Sequence, residues 1–324
     1  MAAIDNGGYS MAKSYNILPA NAKCSRCRGR AEIALPSHHA RFCPDCFDTF
    51  FQNAVARALK KLKLPQDREL MVAVSGGKDS LATWDILHRL GYPTKGLHLN
   101  LGIDQFSGPS REAVERFAQP RGLPWSEYSL QEEFGFSLPE VQTRFRRKIC
   151  SVCGRLKRQL FNRLTIKEGF DILVTGHNLD DEAGRLLGNL VGNRQEFVHK
   201  QHPFLPSPHP LIPAKLKPLY RVEIKEILIY CELRGIEPAE ASCHFSKGAT
   251  SHSFKDALDL LEQRMPGTKR SFLFSYLEGK TPPHSEGDFG TCAHCGQPAW
   301  YDICGLCSLK RQIQDSRDRK EAAP

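Results

Sequence analysis

The sequence predicts an α/β protein, a doubly wound parallel sheet flanked by N- and C-terminal four-cysteine modules. Three observations predict it. Short apolar, β-branched runs alternate with helical stretches from Leu70 to Thr175, as strands joined by crossover helices do. One strand passes into a helix through a glycine turn, Ser75-Gly76-Gly77. Cys-x-x-Cys doublets face each other in pairs near both ends of the chain.

At 324 residues the chain accommodates one α/β domain and small appendages. Hydrophobic residues at 40% and charged residues at 25% describe a globular protein. No apolar run approaches a membrane span, so no membrane partner is expected. The start of the chain shows no charged-then-apolar export pattern, and a cytoplasmic location is expected. A net charge of +9 and a pI near 9.0 suit a polyanionic partner. Eleven of the twelve cysteines fall into three groups, with Cys231 alone. In a reducing compartment such spacing points to metal or redox sites rather than disulfides.

Residues 1–20 are polar and aperiodic and read as a mobile leader. Cys24, Cys27, Cys43 and Cys46 follow, two doublets that close a tetrahedral zinc site with no position left for water. His38 and His39 lie between the doublets but are not needed as ligands. Phe47 to Leu64 has helical periodicity and carries Arg57, Lys60, Lys61 and Lys63, either a solvated face or an RNA phosphate contact. This module is expected over 21–65, and the sheet domain over 66–245.

Leu70 to Val74, including Ala73, reads as a buried strand, and Leu81 to Leu90 as the helix after the turn. A glycine turn at a helix N-terminus offers backbone N–H groups to phosphate, with the helix dipole in support. Ser75, Gly76, Gly77, Lys78 and Ser80 form this cradle. It is not a Walker A loop, because Asp79 follows Lys78 where a Ser or Thr is required. Further strands are expected at Gly96–Leu101, Trp125–Leu130 and Asp171–Thr175, with a helix at Pro109–Ala118. Ligands of such sheets sit at the carboxyl ends of the strands. His98, Leu99 and Gly176 are therefore expected near a nucleotide, although a lone histidine on a strand is more often a packed core residue.

Cys150 and Cys153 lie among Arg144, Arg146, Arg147, Lys148, Arg155, Lys157 and Arg158. Cations favour thiolate, the form that binds metal or attacks. No second doublet lies within zinc-knuckle distance, and the remaining candidate partner is Cys243. Three thiolates suit an iron–sulfur cluster with one iron open, with a third zinc knuckle as the other reading. Thr175 to Glu182 ends a strand and starts an acidic helix. Asp180, Asp181 and Glu182 either cap that helix or join Asp79 in holding magnesium.

Residues 200–213 read as a loop, Val222–Arg234 as an amphipathic helix with Cys231 packed inside, and Ser253–Tyr276 as a helix broken at Pro266-Gly267. A helical segment and linker is expected over 246–284. Cys292, Cys295, Cys304 and Cys307 form a compact zinc ribbon over 285–324, either structural or RNA-binding, and the charged tail is expected to fray.

Ser-Gly-Gly-Lys-Asp-Ser at 75–80 resembles the PP-loop of ATP pyrophosphatases, which cleave ATP to AMP and pyrophosphate. With Gly-Leu-His-Leu-Asn-Leu-Gly-Ile at 96–103, Cys-Ser-Val-Cys-Gly at 150–154, Thr-Gly-His-Asn-Leu-Asp-Asp-Glu at 175–182 and the ribbon, the chain resembles the tRNA 2-thiolation enzymes with two zinc modules. The segment at 96–103 and Glu262-x-x-Met265-Pro266-Gly267 are most similar to the 5-methyluridine-54 branch; wobble-uridine-34 and cytidine-32 thiolases are the alternatives. The resemblance implies a [4Fe-4S] cluster on Cys150, Cys153 and Cys243, ATP, magnesium, two zinc ions and a homodimer. It implies catalytic roles for Asp79, Lys157 and Asp181, and a sulfur donor that is either a ubiquitin-like thiocarboxylate protein or sulfide. A persulfide on Cys150 or Cys153 is a second sulfur route. Related enzymes often have proline where His244 follows Cys243, and some have histidine in place of Cys46. Two other classes share parts of the pattern: PP-loop amide synthetases, which need neither the cysteine trio nor the zinc modules, and non-catalytic RNA-binding scaffolds.

Overall fold

A computed structural model describes residues 18–145, 149–240, 250–282 and 289–321. Residues 1–17 of the leader, Arg146 to Lys148, Cys243 and His244 lie outside these residues.

The chain begins with a small hairpin, β1 (Ile33–Leu35) and β2 (Ala40–Phe42), followed by α1 (Pro44–Lys61). Pro44 at the first helical position starts α1 three residues earlier than periodicity alone indicates. β3 (Leu70–Ala73), α2 (Lys78–Arg89), β4 (Thr94–Asn100), α3 (Ser107–Ala118) and β5 (Trp125–Ser129) then alternate. Three helices follow: α4 (Leu130–Phe134), α5 (Leu138–Phe145) and the long α6 (Ile149–Lys167). β6 (Ile172–Val174) leads into α7 (Leu179–Val191) and α8 (Gln195–His199). β7 (Phe204–Leu205), β8 (Ala214–Leu216) and α9 (Ile224–Leu233) complete the sheet region. α10 (Thr250–Arg264), α11 (Thr268–Leu277), the two-strand ribbon β9 (Gly290–Thr291) and β10 (Pro298–Ala299), and α12 (Gly305–Glu321) end the described chain.

The sheet order is β5-β4-β3-β6-β8-β7, parallel throughout except for β7 at the edge. β7 corrects the expectation of a plain loop over 200–213. Its two residues pair with Lys215 and Leu216, too short a run for a periodic signal. β3 pairs with β4 on one side and β6 on the other. The loops leaving β3 and β6 therefore meet at the topological switch point, where open α/β sheets bind ligands.

Alternate residues of β3 feed two cores, as a pleated strand requires. Leu70 and Val72 pack with α1, α2 and α9 around Phe51, Trp84 and Tyr230. Met71 packs on the other face with Leu160, Phe136 and the ribbon's Ile313. The N-terminal module is docked firmly: Phe51 stacks on Tyr230 with ring centroids 4.0 Å apart, and Arg89 donates to both Asp48 carboxylate oxygens at 2.7 and 2.6 Å. The charged stretch is helical as far as Glu321, and the last three residues lie outside those described. It forms α12, held by Arg317, which donates to Glu140 and to the Gly135 carbonyl. Ile313, buried among α5 and α6 residues, supplies the anchor that charge alone conceals.

Candidate active site and metal centres

Four local choices build the loop after β3. Gly76 has φ +76°, and a Cβ there would lie 2.4 Å from the Ser110 carbonyl oxygen, so only glycine fits. Ser80 accepts from the Ser75 N–H at 3.1 Å and donates to the Gly77 carbonyl at 2.9 Å, closing the turn. Gly77 is the N-cap of α2 and offers no side chain, which leaves the first N–H groups of the helix for an anion. Gly176, at the exit of β6, lets that loop approach to where a Cβ would be 2.8 Å from the Asp79 backbone.

Asn178 joins the two loops. As N-cap of α7 it forms a capping box with Asp181, and its side-chain amide donates to Asp79 at 3.1 Å. Asp79 and Asp181 thereby share one half-buried pocket. Burial, with the Asp181 charge in support, raises the Asp79 carboxyl above its usual range, against the pull of Lys78. Burial would raise Asp181 too, but Lys255 of α10, which donates to it, and His177 hold it below the usual carboxylate range.

The other two acids of α7 are structural. Asp180 accepts from Lys269 and from the Ile224 N–H, and Glu182 pairs with Lys217 at 2.7 Å. Asp180 and Glu182 are turned into the protein toward their lysines, while Asp181 both closes the capping box of α7 and faces Asp79.

His98 is buried on β4 and donates from Nδ1 to the Val74 carbonyl at 2.8 Å, beside the phosphate loop. Its Nε2 has no partner among the described residues. Burial first, and the nearby charges of Arg111 and Lys157, push its pKa down. Lys157 lies on α6, one helical turn beyond Cys153. Cys150 and Cys153 occupy the first turn of α6, one helical turn apart on one face. Beyond α9, the Ala239 N–H bonds to the Gly76 carbonyl at 2.9 Å. Four residues separate Ala239 from Cys243, a reach of at most about 14 Å. The donor set fits a cluster with one open iron: two thiols on one helical turn and a third, Cys243, four positions beyond Ala239 in sequence.

Both terminal cysteine groups fit zinc. Their sulfur atoms lie within 4.8 Å of one another in each group. The Cys27–Cys43 and Cys295–Cys304 separations are 3.6 and 3.7 Å. Four sulfurs at 2.3 Å from a tetrahedral zinc ion would be about 3.8 Å apart. His38 is no ligand of the first group; it pairs with Glu226 at 2.6 Å and with Arg270.

Sequence reasoning missed Lys255 and Asn178. The Asn-x-x-Asp spacing at 178–181 carried a capping-box signal. Lys255 carried none, since it reaches Asp181 from 74 positions away.

The fold and site define a PP-loop nucleotide-binding protein equipped with cysteine metal centres. The family described as the PP-loop domain matches residues 48–242, and that described as the 2-thiouridine synthetase TtuA N-terminal LIM domain matches residues 23–48. The chain is 39% identical to the tRNA-5-methyluridine(54) 2-sulfurtransferase of Thermus thermophilus, over 93% of this chain and 95% of that one. It is 34% identical to the Thermotoga maritima protein of the same name, over 93% and 100%. Among solved structures, the U34-tRNA thiolase NcsA of Methanococcus maripaludis, described with its [4Fe-4S] cluster, is similar with a TM-score of 0.75 and 25% identity, over 90% of this chain and 96% of that one. The chain belongs to the PP-loop family of tRNA 2-thiolation enzymes, with the tRNA-5-methyluridine(54) 2-sulfurtransferases.

Proposed function

We propose that this protein replaces the C2 oxygen of 5-methyluridine 54 in tRNA with sulfur, using ATP. The observation that carries this is the uncapped phosphate loop at the switch point, where Asn178 ties the Asp181 turn to Asp79.

The C2 oxygen of uracil leaves badly as oxide. Its attack on the α-phosphorus of ATP expels pyrophosphate and turns that oxygen into part of AMP, a good leaving group. Ser75, Gly76, Gly77 and Ser80 hold the departing phosphates, and Lys78 offsets their growing charge. Ala73, Val74, His98, Leu99 and Gly176 line the strand ends where the nucleoside lies. Asp79 and Asp181 hold magnesium, for which Asp181 exchanges its Lys255 contact. Lys157 orients the uracil ring. Cys150, Cys153 and Cys243 hold a [4Fe-4S] cluster, which supplies the sulfur that displaces AMP from C2.

Each terminal module holds one zinc ion. The sulfur donor is a ubiquitin-like thiocarboxylate protein or sulfide, and the enzyme works in the cytoplasm as a homodimer. The test of the adenylation step is AMP release from ATP with tRNA present. Wild-type protein is expected to release AMP only when uridine 54 is present, and Asp79→Asn to lose it. AMP release indifferent to tRNA would point to another acceptor.

A further inference from the structure

A second cationic site lies away from the phosphate loop. α6, β8, the 208–212 segment and the ribbon helix α12 enclose a cavity of about 590 Å³. Its lining includes the half-buried Lys215 of β8 and the exposed Arg155 and Arg158 of α6. Among the described residues none of these three pairs with a carboxylate. The contrast with their neighbours is sharp: Lys217 on the same strand has Glu182, and Arg185 lies within 3.8 Å of the same carboxylate. A half-buried lysine beside an arginine, with no acid supplied, is unfavourable unless something anionic arrives.

The cavity has an aromatic rim. Phe289 lines it and packs against Trp300 with centroids 4.4 Å apart. Trp300 and Tyr301 are 63% and 83% exposed, the most exposed aromatic side chains among the described residues. Flat apolar rings beside unpaired cations suit a nucleic-acid strand, with rings stacking on bases and cations on the backbone. Arg155 and Arg158 lie on α6 about half a turn and about one and a half turns beyond Cys153. A strand held in the cavity therefore runs close to the cysteine centre.

We infer that the cavity between α6, β8 and the C-terminal ribbon is a phosphodiester site for the RNA substrate, with Arg158 and Lys215 holding a backbone phosphate and Trp300 and Tyr301 stacking an adjacent base. This rests on the tRNA reading above and assigns the C-terminal module to substrate capture.

The test is the binding of unmodified tRNA transcript to the full metal-loaded chain across a salt series. Arg158→Met and Lys215→Met are each expected to weaken binding roughly tenfold and to reduce the log–log salt slope by about 0.7 to 0.9, the share of one phosphate contact. Lys215→Arg is expected to restore the slope. Trp300→Ala is expected to weaken binding about tenfold with the slope unchanged. Cooperative urea unfolding of each variant separates lost contacts from lost fold. Wild-type slope and affinity in folded Arg158→Met and Lys215→Met would overturn the inference and leave the thiolase reading intact. Failure of the wild-type protein to bind tRNA would overturn both. Intact tRNA binding with lost inhibition by pyrophosphate in the variants would assign the cavity to the inorganic product and overturn the RNA assignment.

Discussion

Lys215 is the residue at which stability and binding pull apart. Burial, then the charges of Arg158, Lys217 and Arg185, bring its ammonium down to about 8 from 10.5. The folded chain thus binds this proton less tightly than the unfolded chain. Stability rises with pH from about 8 to 10.5, where only the unfolded chain keeps the proton. Below that window folding bears the full cost of the charge. Lys215→Met is therefore expected to stabilise the protein at pH 7 by roughly 1–3 kcal/mol in urea titrations, a gain that fades above pH 10. Destabilisation at pH 7 would make Lys215 a structural residue. The adjacent acids of α7 separate in the same way. Asp181→Asn is expected to cut tRNA-dependent AMP formation by at least about 100-fold, with a loss of about 1 kcal/mol of stability as the Lys255 pair goes. Asp180→Asn leaves Lys269 buried with Asp259 alone; it should lower stability by about 1–3 kcal/mol and spare turnover of the folded fraction. Equal loss of turnover in both would show that the two carboxylates act together. Which of three consecutive acids faces the site was not legible in Asp-Asp-Glu. Helical rotation decides it, and the partners Lys269, Lys217 and Lys255 are all distant in sequence.

At the scale of elements, α12 shows what composition hides. Its charged stretch reads as a fraying tail, yet a single buried Ile313 and the Arg317–Glu140 pair fasten it to α5 and α6. Ile313→Ala is expected to lower stability by about 2–4 kcal/mol and to expose α12 to proteolysis. A freely fraying tail would lose nothing. Strands β3, β4, β5 and β6 were legible because each is an apolar run bounded by turn residues, and the loop after β3 because its chemistry demands glycine. β7 was not, since two residues carry no period. α6 was read for its cysteines and cations, and its 19-residue helix passed unnoticed because charge interrupts the apolar stripe.

For the molecule as a whole, two cysteine modules grip opposite faces of one sheet, the first through Phe51 on Tyr230 and the second through Ile313 and Leu306 beside Leu160. Metal analysis should find two zinc ions per chain, and chelation should lower the unfolding midpoint, because four thiolates hold each module's chain in place. One zinc or none would contradict the assignment of both modules. Cys-x-x-Cys spacing made these modules readable from the sequence alone. Their docking was not readable, since it depends on single aromatic and aliphatic side chains that look like any others. The central claim is sulfur transfer to a particular nucleoside. Its most direct test is nucleoside mass spectrometry of tRNA incubated anaerobically with the cluster-reconstituted protein, ATP, magnesium and sulfide. The account predicts 2-thio-5-methyluridine, lost in Cys243→Ala. No thionucleoside from a chain that demonstrably carries its cluster, with sulfide or a thiocarboxylate carrier supplied, would contradict it.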